Sequence, residues 1–330
     1  MRVFLTGASG FVGANIARRL LKEGHEVHVS IRKATMVPKA PSVSGNQRLP
    51  NNAWRLEDIL SELNTHEVDI TDLPGLSRVI KEISPEGIIH MATYGAYPTV
   101  QRDLQKILDT NLTGTINLVR ACEQIRYDVF INTSSSSEYG LANKSMNEDD
   151  LPKPIDYYGA TKTGATMFCQ AHTRITGAPI ITTRLFSVYG PYEEPIRLVP
   201  STIRKCLRND KLEFTQGMQR RDFIYTSDVE DAYLHLLKRP DLKGDILNIG
   251  TGTQRTVKEI VGAIIKETDT KSEPGWGALQ TRQFESFNWV ADMAKTNNLL
   301  KWKAKRSMED GIRHTVAWMR KNMQYYEMTS

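Results

Sequence analysis

The sequence predicts an α/β protein: a doubly wound parallel sheet with helices on both faces, followed by a smaller C-terminal α/β region. Three observations predict it. The chain opens on a strand, a glycine-rich turn and a helix. Strand and helix signals then alternate through the first half, as strands joined by helical crossovers require. After Gly190-Pro191 the alternation becomes less regular.

The first element, Arg2–Thr6, reads as a short buried strand. Gly7-Ala-Ser9-Gly10-Phe11-Val12-Gly13 follows, with the spacing G-x-x-G-x-x-G. Val12, Ile16 and Leu20, with Ala17 and Leu21, then mark one face of a helix. Glycines let the backbone approach a pyrophosphate, and the free N–H groups of a helix start point at the anion. Ordinary strand-to-helix turns carry glycines too. The place of this one, between these two elements, points to dinucleotide binding and a Rossmann-type sheet.

Further strands are expected at Glu26–Ile31, Glu67–Ile70, Gly87–Met91, Val129–Thr133 and Pro179–Leu185. Helices are expected at Leu73–Ile83, Gln101–Gln124 and Tyr157–Thr176. Ligands of such sheets bind at the carboxyl ends of the strands, so the chemistry is expected just after each one. Lys33–Asn52, with Pro38, Pro41 and Pro50, reads as a long surface loop beside the cofactor's ribose. Later helices are expected at Arg197–Arg208, Ser227–Lys238, Val257–Glu267 and Met308–Met323. This divides the chain into a dinucleotide-binding domain, 1–190, and a mainly substrate-binding lid, 191–330, with some chain crossing back.

Composition narrows the classes of function. The chain has 330 residues, 40% hydrophobic and 25% charged, with net charge +5. Lys and Arg are spread out, with no nucleic-acid footprint. Cys122, Cys169 and Cys206 lie far apart without a Cys-x-x-Cys, so thiols in a reducing compartment are expected rather than disulfides or a metal site. No apolar run is long enough to span a membrane, and the N-terminus is a fold element rather than a signal peptide. A cytoplasmic location follows by default.

The second strand bears on the cofactor. NAD-binding strands usually end there in an acid that binds the ribose hydroxyls. Here Ser30-Ile-Arg32-Lys33 has none. Ser30 leaves room for a 2′-phosphate, and Arg32 and Lys33 would neutralise it, which favours NADP over NAD. The competing reading is two surface cations. Asp69 would accept from an adenine amino group, or cap the next helix, although Thr71 is the better-placed cap. His90 reads as a packed strand histidine. Met91, Ala92 and Thr93 beyond it leave room for a cofactor across the strand tips.

The strongest constellation is Thr133-Ser134-Ser135-Ser136-Ser137-Glu138-Tyr139-Gly140, then Tyr158-Gly-Ala-Thr-Lys162 at a helix start. Tyr and Lys four apart share a helix face. A phenol with a pKa of about 10 shuttles protons poorly at neutral pH. A nearby ammonium and a cationic nicotinamide ring both favour its phenolate. Taken alone, Tyr-x-x-x-Lys is an ordinary amphipathic spacing. After a glycine turn and a serine-rich strand end, it reads as an acid/base pair, with Ser135 holding a substrate oxygen.

With these residues the chain resembles the extended short-chain dehydrogenase/reductase family, in particular its nucleotide-sugar epimerases, dehydratases and ketoreductases. The resemblance continues in His90-Met-Ala92, Asn111-Leu-Thr-Gly114-Thr, Arg184-Leu-Phe-Ser-Val-Tyr-Gly-Pro191, Arg221-Asp-Phe-Ile-Tyr-Thr-Ser-Asp228, Asn248-Ile-Gly-Thr-Gly252 and Leu299-Leu-Lys-Trp302. It implies that Tyr158 is the acid/base, that Lys162 orients it and bonds the nicotinamide ribose, and that Ser135 holds the sugar oxygen. Gly7, Ser9, Gly10, Phe11, Val12 and Gly13 would surround the pyrophosphate, and Asp69 and Ile70 the adenine. Met91, Ala92, Thr93 and Leu185 would complete the cofactor's surroundings. Thr93, Ser136, Ser137, Ser187, Arg221 and Arg282 would meet the nucleotide-sugar, the two arginines gripping its diphosphate. For Arg221 a salt bridge to Asp222 or Glu230 is the alternative. A homodimer through Gln101–Gln124 and Tyr157–Thr176 is also implied.

Departures from the family pattern matter as much. The family's 4,6-dehydratases carry Asp-Glu where Ser136 and Ser137 stand, so elimination of water lacks its general acid and base. The Asn of R-x-F-N-x-Y-G-P is Ser187, and the Gly of Leu-Gly-Trp is Lys301. The first expectation is therefore NADPH-dependent reduction of the 4-keto group of a nucleotide-linked 4-keto-6-deoxyhexose. C4 epimerisation with NAD is the alternative, and a non-catalytic nucleotide-binding scaffold is a third.

Overall fold

Val3, Phe4 and Leu5 are fully buried in β1 (Arg2–Thr6), which pairs in parallel with neighbours on both sides. A strand buried on both faces needs a continuous apolar run, and this one has it. In the computed structural model the described residues are 1–32, 53–97, 101–280 and 288–327. They fall into two units. One comprises Met1–Gly140, Leu151–Arg184 and Ala232–Leu247; the other comprises Leu141–Asp150, Leu185–Asp231 and Asn248–Ser330.

The first unit holds β1, β2 (Glu26–Ile31), β3 (Asn64–Glu67), β4 (Gly87–His90), β5 (Val129–Ser135) and β6 (Ile180–Leu185). Its principal helices are α1 (Phe11–Lys22), α2 (Leu73–Ile83), α3 (Leu104–Leu108), α4 (Gly114–Cys122) and α5 (Tyr157–Thr176). Elsewhere along the chain come β7 (Ser187–Tyr189), β8 (Leu212–Phe214), β9 (Arg220–Tyr225), β10 (Ile246–Ile249), β11 (Gln254–Thr256) and β12 (Pro274–Trp276). The seven-stranded sheet runs β10-β6-β5-β4-β1-β2-β3, a Rossmann-like order with its reversal beside β1. On one face of it Phe4, Ile88 and Phe130 pack with Leu76, Val79 and Ile80 of α2 and Leu118, Val119 and Cys122 of α4. The second unit holds a three-stranded sheet, β11-β9-β7, and a two-stranded one, β12-β8.

Two elements differ from the sequence expectation. The third strand is Asn64–Glu67, not Glu67–Ile70. β3 is an edge strand paired only with β2, so it needs no apolar run. Val68 and Ile70 are core residues beyond its end, and Asp69 turns the chain there by accepting from the Thr71 N–H at 2.9 Å. The long helix expected over Gln101–Gln124 is interrupted. Its middle, Asp109–Thr113, is a π-helical turn between α3 and α4. The wider turn carries Asn111, whose buried amide is fully engaged (below), and helical periodicity does not report such an insertion.

Asp72, rather than Thr71, caps α2, accepting from the Gly75 N–H at 3.1 Å. Cys122, Cys169 and Cys206 are free and buried. Among the described residues no helix is long and apolar enough to cross a membrane, and no cluster of His, Cys, Asp or Glu is suited to a metal.

Candidate active site

The glycine turn comes first because it joins two strand ends. Gly7 has φ +75°, and a Cβ there would lie 2.5 Å from the Met91 carbonyl carbon and 2.6 Å from the Ala92 nitrogen. A Cβ on Gly13 would fall on the Gly7 carbonyl oxygen. These two glycines therefore let β1, β4 and α1 close on one another. Gly10 differs: it is exposed, and its Cβ would meet only the Gly7 oxygen, at 3.2 Å. Gly10 is the N-cap of α1 and offers no side-chain cap, and the first turn holds no acid. Among the described residues no N-cap side chain or first-turn acid serves the first N–H groups of α1, the arrangement of a helix start that can receive a diphosphate.

Behind the turn a buried relay locks β4. The Met91 and Ala92 N–H groups each donate to Thr6 Oγ1 at 3.2 Å. Thr6 Oγ1 lies 2.7 Å from His90 Nδ1, and His90 Nε2 lies 2.9 Å from Thr115 Oγ1, which itself donates to the Asn111 carbonyl at 2.7 Å. With the Thr115 proton used, His90 donates from Nε2 and accepts at Nδ1 from Thr6. That is a neutral imidazole. Burial, with Lys162 adding repulsion, lowers its pKa to about 3. His90 is a packed strand histidine, as expected.

Asn111 ties this strand end to α5. Its carbonyl oxygen accepts from Thr93 Oγ1 at 3.0 Å and the Tyr94 N–H at 2.8 Å. Its amide donates to the Tyr94 carbonyl at 2.8 Å and to Thr161 Oγ1 at 3.0 Å, and Thr161 donates to the Tyr158 carbonyl at 2.9 Å.

Tyr158 and Lys162 stand in the first turns of α5, Tyr158 half-buried and Lys162 buried. Asp156 starts the helix by accepting from the Gly159 N–H at 2.7 Å. The absent side chain of Gly159 sets the approach, since a Cβ there would lie 2.6 Å from the Ser137 carbonyl oxygen. The turn carrying Tyr158 thereby reaches the serine turn at the end of β5. In that turn Ser135 Oγ accepts from the Ser137 N–H at 3.1 Å and donates to Ser137 Oγ at 3.2 Å. The first contact occupies a lone pair, and the second is long enough for a better acceptor to replace it. Ser135 is thus set to donate.

Glu138 is the one acid in this serine run, and the structure seals it away. It is fully buried, with bonds from Ser134 Oγ, from Thr166 Oγ1 at 2.5 Å and from Arg184 Nε at 2.9 Å. The Arg184 guanidinium, itself 1% exposed, also pairs with Glu138 through its terminal nitrogen at 2.9 Å and lies 4.5 Å from the Tyr139 ring centroid. Glu138 is therefore no substitute for the carboxylates absent at Ser136 and Ser137. Burial lowers the Lys162 pKa to about 8 against the opposing pull of Glu138.

The remaining candidates are distributed as follows. Arg32 is exposed at the end of β2, Asp69 is half-buried beyond β3, and Ile70 is buried. Phe11 is buried, Ser9 and Val12 half-buried, and Leu185 half-buried at the end of β6. Lys33 and Arg282 lie outside the described residues. Ser187 and Arg221 belong to the second unit, on β7 and β9, where Ser187 is in register with Phe223. The Arg221 guanidinium donates to the Arg220 carbonyl at 2.7 Å and lies 5.4 Å from the Trp289 ring centroid. Asp222 points to the opposite face of the strand. It is buried and accepts from the N–H groups of Thr251 at 2.8 Å, Gly252 at 2.9 Å and Ala291 at 3.2 Å. The alternative of an Arg221–Asp222 pair gives way to this backbone role.

Sequence reasoning assigned no role to Glu138, Arg184 or Arg55. Glu138 and Arg184 had a readable signal: one acid and one base, each in an otherwise uncharged buried strand end. Arg55, fully buried in a short turn before β3, reaches the Ser9 carbonyl at 3.5 Å from outside any motif.

Comparisons with known proteins agree with this geometry. The profile of the NAD dependent epimerase/dehydratase family matches residues 3–250. A UDP-glucuronate 4-epimerase of Thermodesulfobacterium geofontis is 26% identical over 332 residues, spanning 97% of this chain and 96% of its own. The crystal structure of UDP-glucuronic acid 4-epimerase from Bacillus cereus, in complex with UDP-glucuronic acid and NAD, is similar with a TM-score of 0.84 at 26% identity, spanning 98% of this chain and 100% of that one. UDP-glucose 4-epimerase from Thermotoga maritima, solved with UDP-glucose, has a TM-score of 0.84 at 25% identity over 98% of this chain and 100% of its own.

Proposed function

The chain belongs to the NAD-dependent epimerase/dehydratase family, and from that premise we propose that it is an enzyme that epimerises a nucleotide sugar at C4. The observation that carries the reading is the serine turn packed on the Tyr158 turn while the acid of that serine run, Glu138, is sealed in an ion pair. Acid/base chemistry at a hydroxyl is supported, and elimination of water is not. The three relatives described above, all named as 4-epimerases, favour this reading over the net reduction expected from the sequence.

A bound nicotinamide dinucleotide supplies hydride acceptance and return. Tyr158, as phenolate, takes the proton of the sugar's 4-hydroxyl and later gives it back. Lys162 favours the phenolate by charge and bonds the nicotinamide ribose. Ser135 donates to the C4 oxygen. Gly10 and the start of α1 receive the pyrophosphate with Ser9 and Val12, and Asp69 and Ile70 border the adenine. Thr93, Ser136 and Ser137 meet the sugar. The family resemblance also supports a homodimer through Gln101–Gln124 and Tyr157–Thr176.

One observation favours a second reading. β2 ends in Ser30 and Ile31, with Arg32 next and no acid, which suits a 2′-phosphate and so NADPH-dependent reduction of a 4-keto sugar. A single preparation separates the two. Epimerisation predicts NAD released on denaturing the purified protein, and interconversion of UDP-glucuronate or UDP-glucose with its C4 epimer without added cofactor. Stoichiometric NADPH loss with a nucleotide-linked 4-keto-6-deoxyhexose, and no interconversion, would replace this reading with the reductase.

A further inference from the structure

We propose that Glu138 is a positioning residue for Lys162: a buried carboxylate that keeps the lysine ammonium charged while holding the serine strand end against α5. The proposal rests on the catalytic reading above for its purpose, but not for its test.

The geometry is that of one carboxylate serving two elements. Lys162 and Thr166 are four residues apart on α5, so their side chains are stacked on one face. Thr166 Oγ1 lies 2.5 Å from Glu138 Oε1, which places the carboxylate beside the layer that carries Lys162. The same oxygen accepts from Ser134, the residue before Ser135. The other oxygen is held by Arg184, whose guanidinium fixes its orientation.

Lys162 needs such a partner. Its side chain is buried, and taking an ammonium out of water favours the neutral amine. The groups that act on it can be named element by element. His90 on β4 is neutral, its own protonation disfavoured by burial and by the charge of Lys162. Cys169, one turn further along α5 than Thr166, is a thiol whose burial holds it protonated. Tyr158 is one turn back on the same helix. Arg184 on β6 faces Glu138 rather than Lys162. Glu138 is the buried carboxylate among them, and it opposes the effect of burial on Lys162. A neutral Lys162 would lose the charge through which, in the catalytic reading, it assists Tyr158. The carboxylate thus acts on the proton transfer without touching substrate.

The experiment reads Lys162 directly. The full-length protein is labelled with lysine carrying 13C at Cε, and the Lys162 signal is assigned by its loss in Lys162→Met. Its titration midpoint is then followed by NMR. Glu138→Gln is expected to lower that midpoint by at least about one pH unit, the size of effect a close opposite charge has. If Glu138→Gln leaves Arg184 uncompensated and does not fold, the double variant Glu138→Gln/Arg184→Met removes both buried charges together. It is expected to show a lowered midpoint too, by less than Glu138→Gln alone, because the Arg184 charge that disfavours a second cation goes with it. A folded variant of either kind with an unmoved midpoint overturns the proposal. A lowered midpoint in a protein that turns over no nucleotide-sugar leaves this proposal standing and defeats the enzymatic reading.

Discussion

Gly159 and Ser137 touch backbone to backbone, with room for no Cβ between them: an added one would lie 2.6 Å from the Ser137 carbonyl oxygen. This contact joins the helix start bearing Tyr158 to the strand end bearing Ser135. Gly159→Ala is therefore expected to push the two turns apart. Displacements of this kind reduce kcat by about 10- to 100-fold, and steady-state kinetics at saturating substrate measures the loss. Unchanged kcat would mean that the alignment of Tyr158 does not depend on this approach.

Tyr158→Phe keeps the ring and removes the proton-carrying oxygen. Turnover is expected to fall by about 10²-fold or more, while the dissociation constant for the dinucleotide changes by less than about threefold, below ~0.7 kcal/mol. Kinetics paired with a fluorescence titration of the cofactor checks both halves. Retained activity would remove Tyr158 from its role.

His90 carries a pH signature in stability. Its ordinary pKa of 6.5 is lowered to about 3 in the folded protein by burial. Between these values the unfolded chain binds a proton that the native state refuses. Its contribution to stability is thus fully present above pH 6.5 and is lost as pH falls through that window. From pH 7 to pH 5 the loss is about 2 kcal/mol. Urea unfolding of the wild type and of His90→Gln measures it, and the variant is expected to lack this component of the pH dependence. Equal slopes for the two proteins would count against the buried neutral imidazole.

The three motif glycines separate by role. Gly7→Ala introduces a Cβ at φ +75° against the backbone of β4, and a stability loss of about 2 kcal/mol or more is expected. A Cβ on Gly10 would press only on the Gly7 carbonyl oxygen, at 3.2 Å, so its larger cost falls on the anion site. A cofactor dissociation constant raised about tenfold, ~1.4 kcal/mol, with a melting temperature within about 3 °C of wild type, is the expected pattern. Thermal melts and cofactor titrations of both variants test it. Comparable melting losses for the two would show that Gly10 also serves packing.

Arg2–Thr6, the glycine spacing and the Tyr158–Lys162 interval were legible along the chain because each is a local pattern. An apolar run makes a strand buried on both faces, a missing side chain opens a turn, and four residues make one helical turn. From these alone follow the doubly wound sheet and the residue types of an acid/base site. β3 escaped because an edge strand needs no apolar signal, and the π turn at Asp109–Thr113 escaped because one inserted residue barely disturbs helical periodicity. The protonation of His90, the sealing of Glu138 by Arg184 and the contact of Gly159 with Ser137 were decided only in the tertiary structure. Each depends on burial and on partners far apart along the chain, and a charge or a proton answers to the groups around it rather than to its neighbours in sequence.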